Sequence, residues 1–279
     1  MDARLAHPAF DAVRPWFARL QALGGPSLAN LNQLARAAAL RTESDRPVRF
    51  VAPSASDRYY EAHVFESGCV QTRPESRHDL FNALAWLAFP RTKARINAMH
   101  AEQIPLESGR RGRLRDLLTI FDEGGAIVRC NDAALIAMVR DFRWRELFWE
   151  HRDDVVRSMH CLVLGHAVLE MALEPWPGIA CKALFVADGV DADAQAAAWL
   201  RALPAAATPR ELAPLPIFGF PGWDSANRKV GYYEDQRYFR PFRRDMPHQR
   251  TLECPQGVGQ AAAVHNTEES PGSAERDAG

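Results

Sequence analysis

Residues 77–100, RHDLFNALAWLAFPRTKARINAMH, hold the densest mix of apolar and chemically capable polar side chains in the chain. On a helix, His78 and Asn82 stand one turn apart, and Asp79, Asn82 and Trp86 share a face. Lys93, Asn97 and His100 follow at i, i+4 and i+7 on the next helical stretch. If the two stretches fold together about Phe89-Pro90, an imidazole, a carboxylate and an ammonium converge. His78 then serves as general base, Asp79 orients it, and Lys93 stabilises developing negative charge. Asn82 and Asn97 complete the catalytic candidates, with His100 as a binding residue. His78 and Asp79 can instead ligate a metal. A plainer account competes with this one. Asp79 stands three residues after Ser76, where a capping box places an acid. His78, Lys93 and His100 then belong to solvated helix surface.

His166 and Glu170 form a second pair, H-x-x-x-E, able to set nitrogen and oxygen ligands side by side on a divalent metal. Met159, Val163 and Leu173 line the same stripe, so a buried, hydrogen-bonded His–Glu pair explains the spacing equally well. Convergence of this pair with His78 and Asp79 in one cavity would favour chemistry. Asp122-Glu123-Gly124-Gly125 offers two acids for a cation, but these are also ordinary turn residues, and the turn is the simpler reading. In residues 223–244 aromatic side chains alternate with basic ones, including Arg243 and Arg244. Such a segment can stack bases and touch phosphates. Asp224, Glu234 and Asp235 offset its charge, and burial of the rings with arginine at the rim is simpler. Trp223, Asn227 and Arg240 are its binding candidates, provided the segment closes over residues 78–100. No nucleotide-binding glycine motif stands in a strand–helix context, and no G-x-S-x-G elbow is present.

The composition sets bounds on function. The 279 residues are 47% hydrophobic, enough for one sizeable core. A net charge of −1 gives no global field toward nucleic acid or an anionic membrane. Lys93, Lys182 and Lys229 are the only lysines; arginine supplies the other basic residues. Five cysteines, with no C-x-x-C pair, suggest neither a disulfide framework nor a zinc ribbon. With no apolar stretch in MDARLAHPAFDAVRPW to act as a signal peptide, a cytoplasmic location is expected. The apolar runs at 80–89 and 161–173 fall short of the roughly 18 residues that span a bilayer.

The elements that must position these residues follow from pattern and punctuation. A helix is expected within residues 1–23, starting near Pro15, and another after Ser27. Residues 48–51 read as a strand. Residues 59–66 and 69–72 read as a hairpin about Ser67-Gly68. Pro74-Glu75-Ser76 is a turn, and Ser76 caps a helix that Pro90 ends or kinks. Residues 117–128 read as a second hairpin about the Asp-Glu-Gly-Gly turn. Helices are expected after Asn131 or Asp132, over 144–157, and over 158–173 as a central apolar element. A strand at 183–187, a helix at 191–203 and an irregular wrap beyond 213 follow. The tail from about Pro255 has almost nothing to bury and reads as disordered.

The motifs HDLFNALAWLAFPRTKARINAMH, LTIFDEGGAIV, LGHAVLE, PLPIFGFPGW and YYEDQRYFRPFR, in that order, resemble the bacterial domain-of-unknown-function 3025 family. The resemblance covers roughly residues 45–245 and implies a bacterial origin, with no activity to carry over. The adjacent His78-Asp79 is also similar to HD-type metal phosphohydrolases, without that family's other ligands in place. The expectation is a mainly helical α+β single domain with a few short strands. Helices of residues 1–44 join a core of 45–245, and a tail of 255–279 follows. The functional expectation is an enzyme-like or ligand-binding protein with a polar pocket, metal-assisted or acid–base hydrolysis being its concrete form. The alternative is a non-catalytic protein- or RNA-interaction module using residues 223–244. Substrate, metal and oligomeric state are left open.

Overall fold

The computed structural model describes residues 3–54, 59–73, 75–107 and 110–241, all within one unit, Met1–Met246. Pro74, Arg243, Arg244 and the tail expected to be disordered lie outside the described residues. The architecture is α+β and mainly helical, as the sequence predicts. Helix α1 (Arg14–Ala22) carries Pro15 in its first turn. Helix α2 (Leu28–Ala37) is capped by Ser27, whose Oγ accepts from Asn30 N–H at 3.1 Å. Strand β1 (Arg49–Val51) follows.

Residues 59–66, expected as a strand, are instead helix α3 (Tyr60–Ser67), so no hairpin forms. Tyr60 and Val64, one helical turn apart, and Glu61 border a cavity, with Val64 itself buried. Gly68 ends the helix at φ 73°. A Cβ there would lie 2.2 Å from the Pro47 carbonyl oxygen, so the turn requires glycine twice over. Strand β2 (Cys69–Gln71) then pairs with β1 in parallel.

Helix α4 (Arg77–Ala88) begins at Ser76, whose Oγ accepts from Asp79 N–H at 3.2 Å. Helix α5 (Pro90–Gln103) starts directly after Phe89. Its first N–H groups have no partner within the helix. Asp193 supplies one from outside: Oδ2 accepts from Arg91 N–H at 2.9 Å and Oδ1 from Thr92 N–H at 2.8 Å.

The second expected hairpin is also absent. Leu114, Leu117, Leu118 and Phe121 are buried at helical spacing, and residues 113–124 form helix α6 (Arg113–Gly124). Strand β3 (Gly125–Arg129) follows it at once, so Asp122 and Glu123 occupy a helix end rather than a turn. Helix α7 (Ala133–Arg140) is capped by Asp132, and helix α8 (Arg152–Ser158) follows a single π turn at Glu146–Glu150.

Residues 158–173 are not one helix. Strand β4 (His160–Val163) leads through Leu164 and Gly165 into the short helix α9 (His166–Met171). An apolar run of this kind has no periodicity to separate strand from helix. Strand β5 (Cys181–Val186), helix α10 (Ala192–Arg201) and strand β6 (Ala213–Leu215) complete the regular elements.

The main sheet has the order β4-β3-β5-β6, with β3 and β5 parallel and both edge strands antiparallel to their neighbours. Both faces of β3 are covered. Ala126 and Val128 enter a core with Phe81, Leu84 and Leu87 of α4; Ile127 enters another with Ile96 of α5 and Leu117 and Phe121 of α6. The break at Phe89 carries the chain from the first core to the second. Among the described residues no helix is long and apolar enough to cross a membrane.

Candidate functional site

Helices α3, α4, α5 and α6 line a cavity of about 450 Å³. Into it come His78, Asp79, Asn82, Lys93, Asn97, His100 and His166, seven of the residues singled out from sequence. Tyr60, Glu61, Trp86, Asp122 and Glu123 join them.

One end of the cavity holds two imidazoles and a carboxylate from three different helices. His78 of α4, Glu123 of α6 and His166 of α9 each offer a ligand atom, all within 4.8 Å of one another. Glu123 Oε2 lies 3.3 Å from His166 Nε2 and 3.9 Å from His78 Nε2. The two rings meet edge to face with centroids 4.5 Å apart. Donors at about 2.0–2.1 Å from a tetrahedral cation are roughly 3.3 Å from each other, so this set could hold one ion if its side chains rotated closer together.

Each imidazole is held through its other nitrogen. His166 Nδ1–H donates to the Asp122 carbonyl oxygen at 2.9 Å. His78 Nδ1–H donates to Glu170 Oε2 at 3.2 Å. A neutral ring with its proton on Nδ1 has its lone pair on Nε2, the atom facing Glu123. Burial pushes the His166 imidazole down to about 4, which keeps that lone pair free near neutral pH. Burial and the neighbouring Asp122 carboxylate push the half-exposed Glu123 carboxyl up.

Two of these helices, α6 and α9, meet here because two glycines touch. A Cβ on Gly165 would lie 2.6 Å from both Gly124 Cα and the Glu123 carbonyl oxygen. With no side chain at that point, the start of α9 seats directly on the end of α6, bringing His166 against Asp122 and Glu123.

Lys93 stands beside this cluster, its side chain only 4% exposed. Its Nζ donates to Asp122 Oδ1 at 2.5 Å and Asn82 Oδ1 at 2.8 Å, and lies 5.7 Å from the Trp86 ring centre. Burial alone would raise the Asp122 carboxyl, but the Lys93 ammonium and the nearby His166 hold it below the usual range. Asn82 has its oxygen on Lys93, so its amide nitrogen is left to donate, and it meets the Tyr60 hydroxyl. Burial, then the Asp122 charge, pushes the Tyr60 phenol up and keeps it protonated.

Further along α5, Asn97 Nδ2 donates to the Glu61 carbonyl at 2.8 Å and ties α3 to α5. His100 Nδ1 accepts from Arg115 Nε at 3.2 Å, and Glu107 holds Arg115 at 2.8 Å. Burial pushes the His100 imidazole down. The folded chain thus resists a proton that the unfolded chain takes up near the ordinary value of about 6.5, and stability falls as pH drops below that value. His100→Gln, which keeps an acceptor for Arg115, is expected to flatten the fall in Tm between about pH 7 and about pH 5. Equal slopes for the two proteins would show that His100 contributes nothing to it.

Three expectations need correction. Asp79 does not orient His78. Its Oδ2 accepts from Arg73 N–H and Nε, both at 2.8 Å, and the Arg73 guanidinium holds its carboxyl below the usual range. Glu170 does not stand beside His166 as a joint donor but binds His78 from behind, and Glu123 fills the place expected of it. Asp122 and Glu123 are not turn residues, and their place at the end of α6 brings them into the cavity.

Segment 223–241 does not close over the cavity. Asn227 is fully buried, its Nδ2 donating to the Phe218 and Phe220 carbonyls at 3.0 and 2.6 Å. Trp223 packs edge-on against His7, and the Arg240 carbonyl accepts from Trp144 Nε1. Tyr233 stacks on Phe148 and Phe239 meets Tyr232 edge-on, and the buried Tyr233 and Phe239 rings are not free to stack on bases.

Searches of curated proteins and of solved structures found no match. One family model, described as "Protein of unknown function (DUF3025)", matches residues 48–243. That span contains the whole cavity and every donor of the histidine–carboxylate cluster, and the chain belongs to the DUF3025 family.

Proposed function

We propose that this protein is a divalent-metal-dependent hydrolase acting on a small polar substrate held between α4, α5 and α6. The observation that carries the reading is the meeting of His78, Glu123 and His166, from three separate helices, at the edge of one cavity. Two imidazoles and one carboxylate, with positions left open, are the donor set of catalytic zinc sites and of non-haem iron centres. The Glu170 and Asp122 contacts behind the rings are the kind of outer support that fixes ligand orientation.

In this reading His78 Nε2, His166 Nε2 and Glu123 Oε2 hold the cation. A bound divalent cation supplies Lewis acidity and a water acidified to near neutral pH. Lys93 and the Asn82 amide place positive charge and a donor beside the reacting centre, where an oxyanion would develop. Tyr60, kept protonated, supplies a proton to the departing group at its Oη. The water oxygen would join the electrophilic centre as the bond to the leaving group breaks; the leaving group would carry away the Tyr60 proton, and the proton given up by the water would restore the Tyr60 phenol, so the net change is hydrolysis.

The test is metal uptake followed by turnover. Protein stripped with a chelator and re-equilibrated with zinc(II) or iron(II) is expected to retain about one ion per chain. The zinc form is expected to cleave members of a panel of small esters, amides and phosphoesters, with cleavage lost on stripping. A folded protein that retains no metal overturns the reading. Retention of iron with consumption of O₂ would replace hydrolysis by oxygen chemistry.

A further inference from the structure

Two polar side chains in the cavity have capacities that the metal chemistry does not use. Asn97 is 6% exposed and its Oδ1 is buried without a partner, while its Nδ2 is committed to Glu61. An unmet buried acceptor costs about 1–3 kcal/mol, so a donor brought to it by a ligand is well rewarded. His100, 3% exposed, has the complementary property. Arg115 Nε–H can only donate, so His100 Nδ1 must be the acceptor and its proton sits on Nε2. Among the described residues no hydrogen-bond partner is found for that Nε2–H.

Asn97 and His100 are i, i+3 neighbours on α5, so the acceptor and donor share one helix face. They are also displaced from the histidine–carboxylate cluster. From Lys93, which touches Asp122, to His100 is seven residues of α5, or about 10 Å at the helical rise. From Asp122 back to Arg115, which touches His100, is the same span on α6.

We infer that the end of the cavity at Asn97 and His100 recognises an uncharged amide-type group on the substrate. The N–H of that group meets Asn97 Oδ1, and its carbonyl meets His100 Nε2–H. The reacting bond lies about 10 Å away at His78, Glu123 and His166. This rests on the metal-site reading above. A carboxylate has no donor for Asn97, an ammonium has no acceptor for His100, and a methyl group has neither. The substrate class is thus an elongated polar molecule with a carboxamide, lactam or similar edge at one end and the hydrolysable bond at the other.

The experiment uses hydroxamates, which anchor on a metal, titrated calorimetrically into the zinc-loaded protein. Acetohydroxamate reports the metal end alone. Three longer hydroxamates share one alkyl spacer reaching about 10 Å and end in carboxamide, carboxylate or methyl. The carboxamide is expected to bind roughly 10-fold more tightly than the methyl and carboxylate compounds. In Asn97→Leu and His100→Phe that preference is expected to fall to about 2-fold or less, with acetohydroxamate affinity unchanged. If acetohydroxamate binds but the three longer compounds bind alike to the unaltered protein, this inference is wrong and the metal site stands. If acetohydroxamate itself does not bind, both fall together.

Discussion

His166→Asn is expected to abolish metal retention while leaving the fold intact. The asparagine Nδ2 takes the position of the imidazole Nδ1 and can still donate to the Asp122 carbonyl, the contact made at 2.9 Å. Nothing replaces Nε2, the atom 3.3 Å from Glu123. Losing a group that merely supports a ligand costs about 10–100-fold in metal affinity, so losing the donor should cost more than ~100-fold. Glu170→Gln supplies the contrast. It weakens the support behind His78 and removes no proposed donor, so a loss of only about 10-fold is expected. Equilibrium dialysis against a competing chelator, with metal measured on the retained protein, orders the three proteins. Unchanged affinity in His166→Asn would sink the assignment of His166 as a ligand. Hydrolysis should fall in the same order as metal content.

Asp122→Ala is expected to be the most destabilising single change at the site. It strands Lys93, whose side chain is 4% exposed and whose ammonium is shared between Asp122 and Asn82. Removing one partner of a buried ion pair typically costs about 3–5 kcal/mol, because the remaining charge is left buried and uncompensated. For a domain of this size that is a fall in Tm of roughly 10 °C. Lys93→Met in the same chain removes the stranded charge and keeps the volume, and the double variant should recover at least about half of the loss. Thermal unfolding of the two single variants and the double one closes the cycle. A cost below about 1 kcal/mol for Asp122→Ala would mean that water reaches Lys93 and that the pair is not buried in solution.

Asp122 carries two roles on one residue: its carbonyl holds a histidine, and its carboxylate neutralises a lysine. The chain is arginine-rich with only three lysines, and the surroundings of Lys93 account for a lysine at this position. A compact ammonium fits between two oxygen acceptors and an indole face, where a planar guanidinium with five donors would leave several unmet.

Much of the cavity wall was legible from residue order. Ser76 and Pro90 mark where α4 and α5 begin, and both do their work by local chemistry: a hydroxyl that accepts an N–H and a ring that fits a first turn. Once those starts are fixed, helical periodicity alone aligns His78 with Asn82 and Lys93 with Asn97 and His100. The break at Phe89-Pro90 makes it geometrically possible for Asn82 to meet Lys93, and they do meet.

What periodicity could not supply was the carboxylate. Residues 117–125 carry helix spacing and turn chemistry at once, and local preference cannot choose between them. The choice was made by packing, since burying Leu114, Leu117, Leu118 and Phe121 against the sheet requires a helix that runs as far as Gly124. The same limit hid the strand in residues 160–163, because four residues inside a longer apolar run are too few for periodicity to separate a strand from a helix. Glycines 124 and 165, far apart in the chain and unremarkable in each sequence context, let α6 and α9 touch and so place Glu123 between two histidines. The sequence by itself determined which helices carry the polar side chains and which faces those side chains share, because capping and periodicity act over a few residues. Which carboxylate joins the histidines was decided only in the tertiary structure, because close backbone contact between distant segments leaves no periodic trace in the chain.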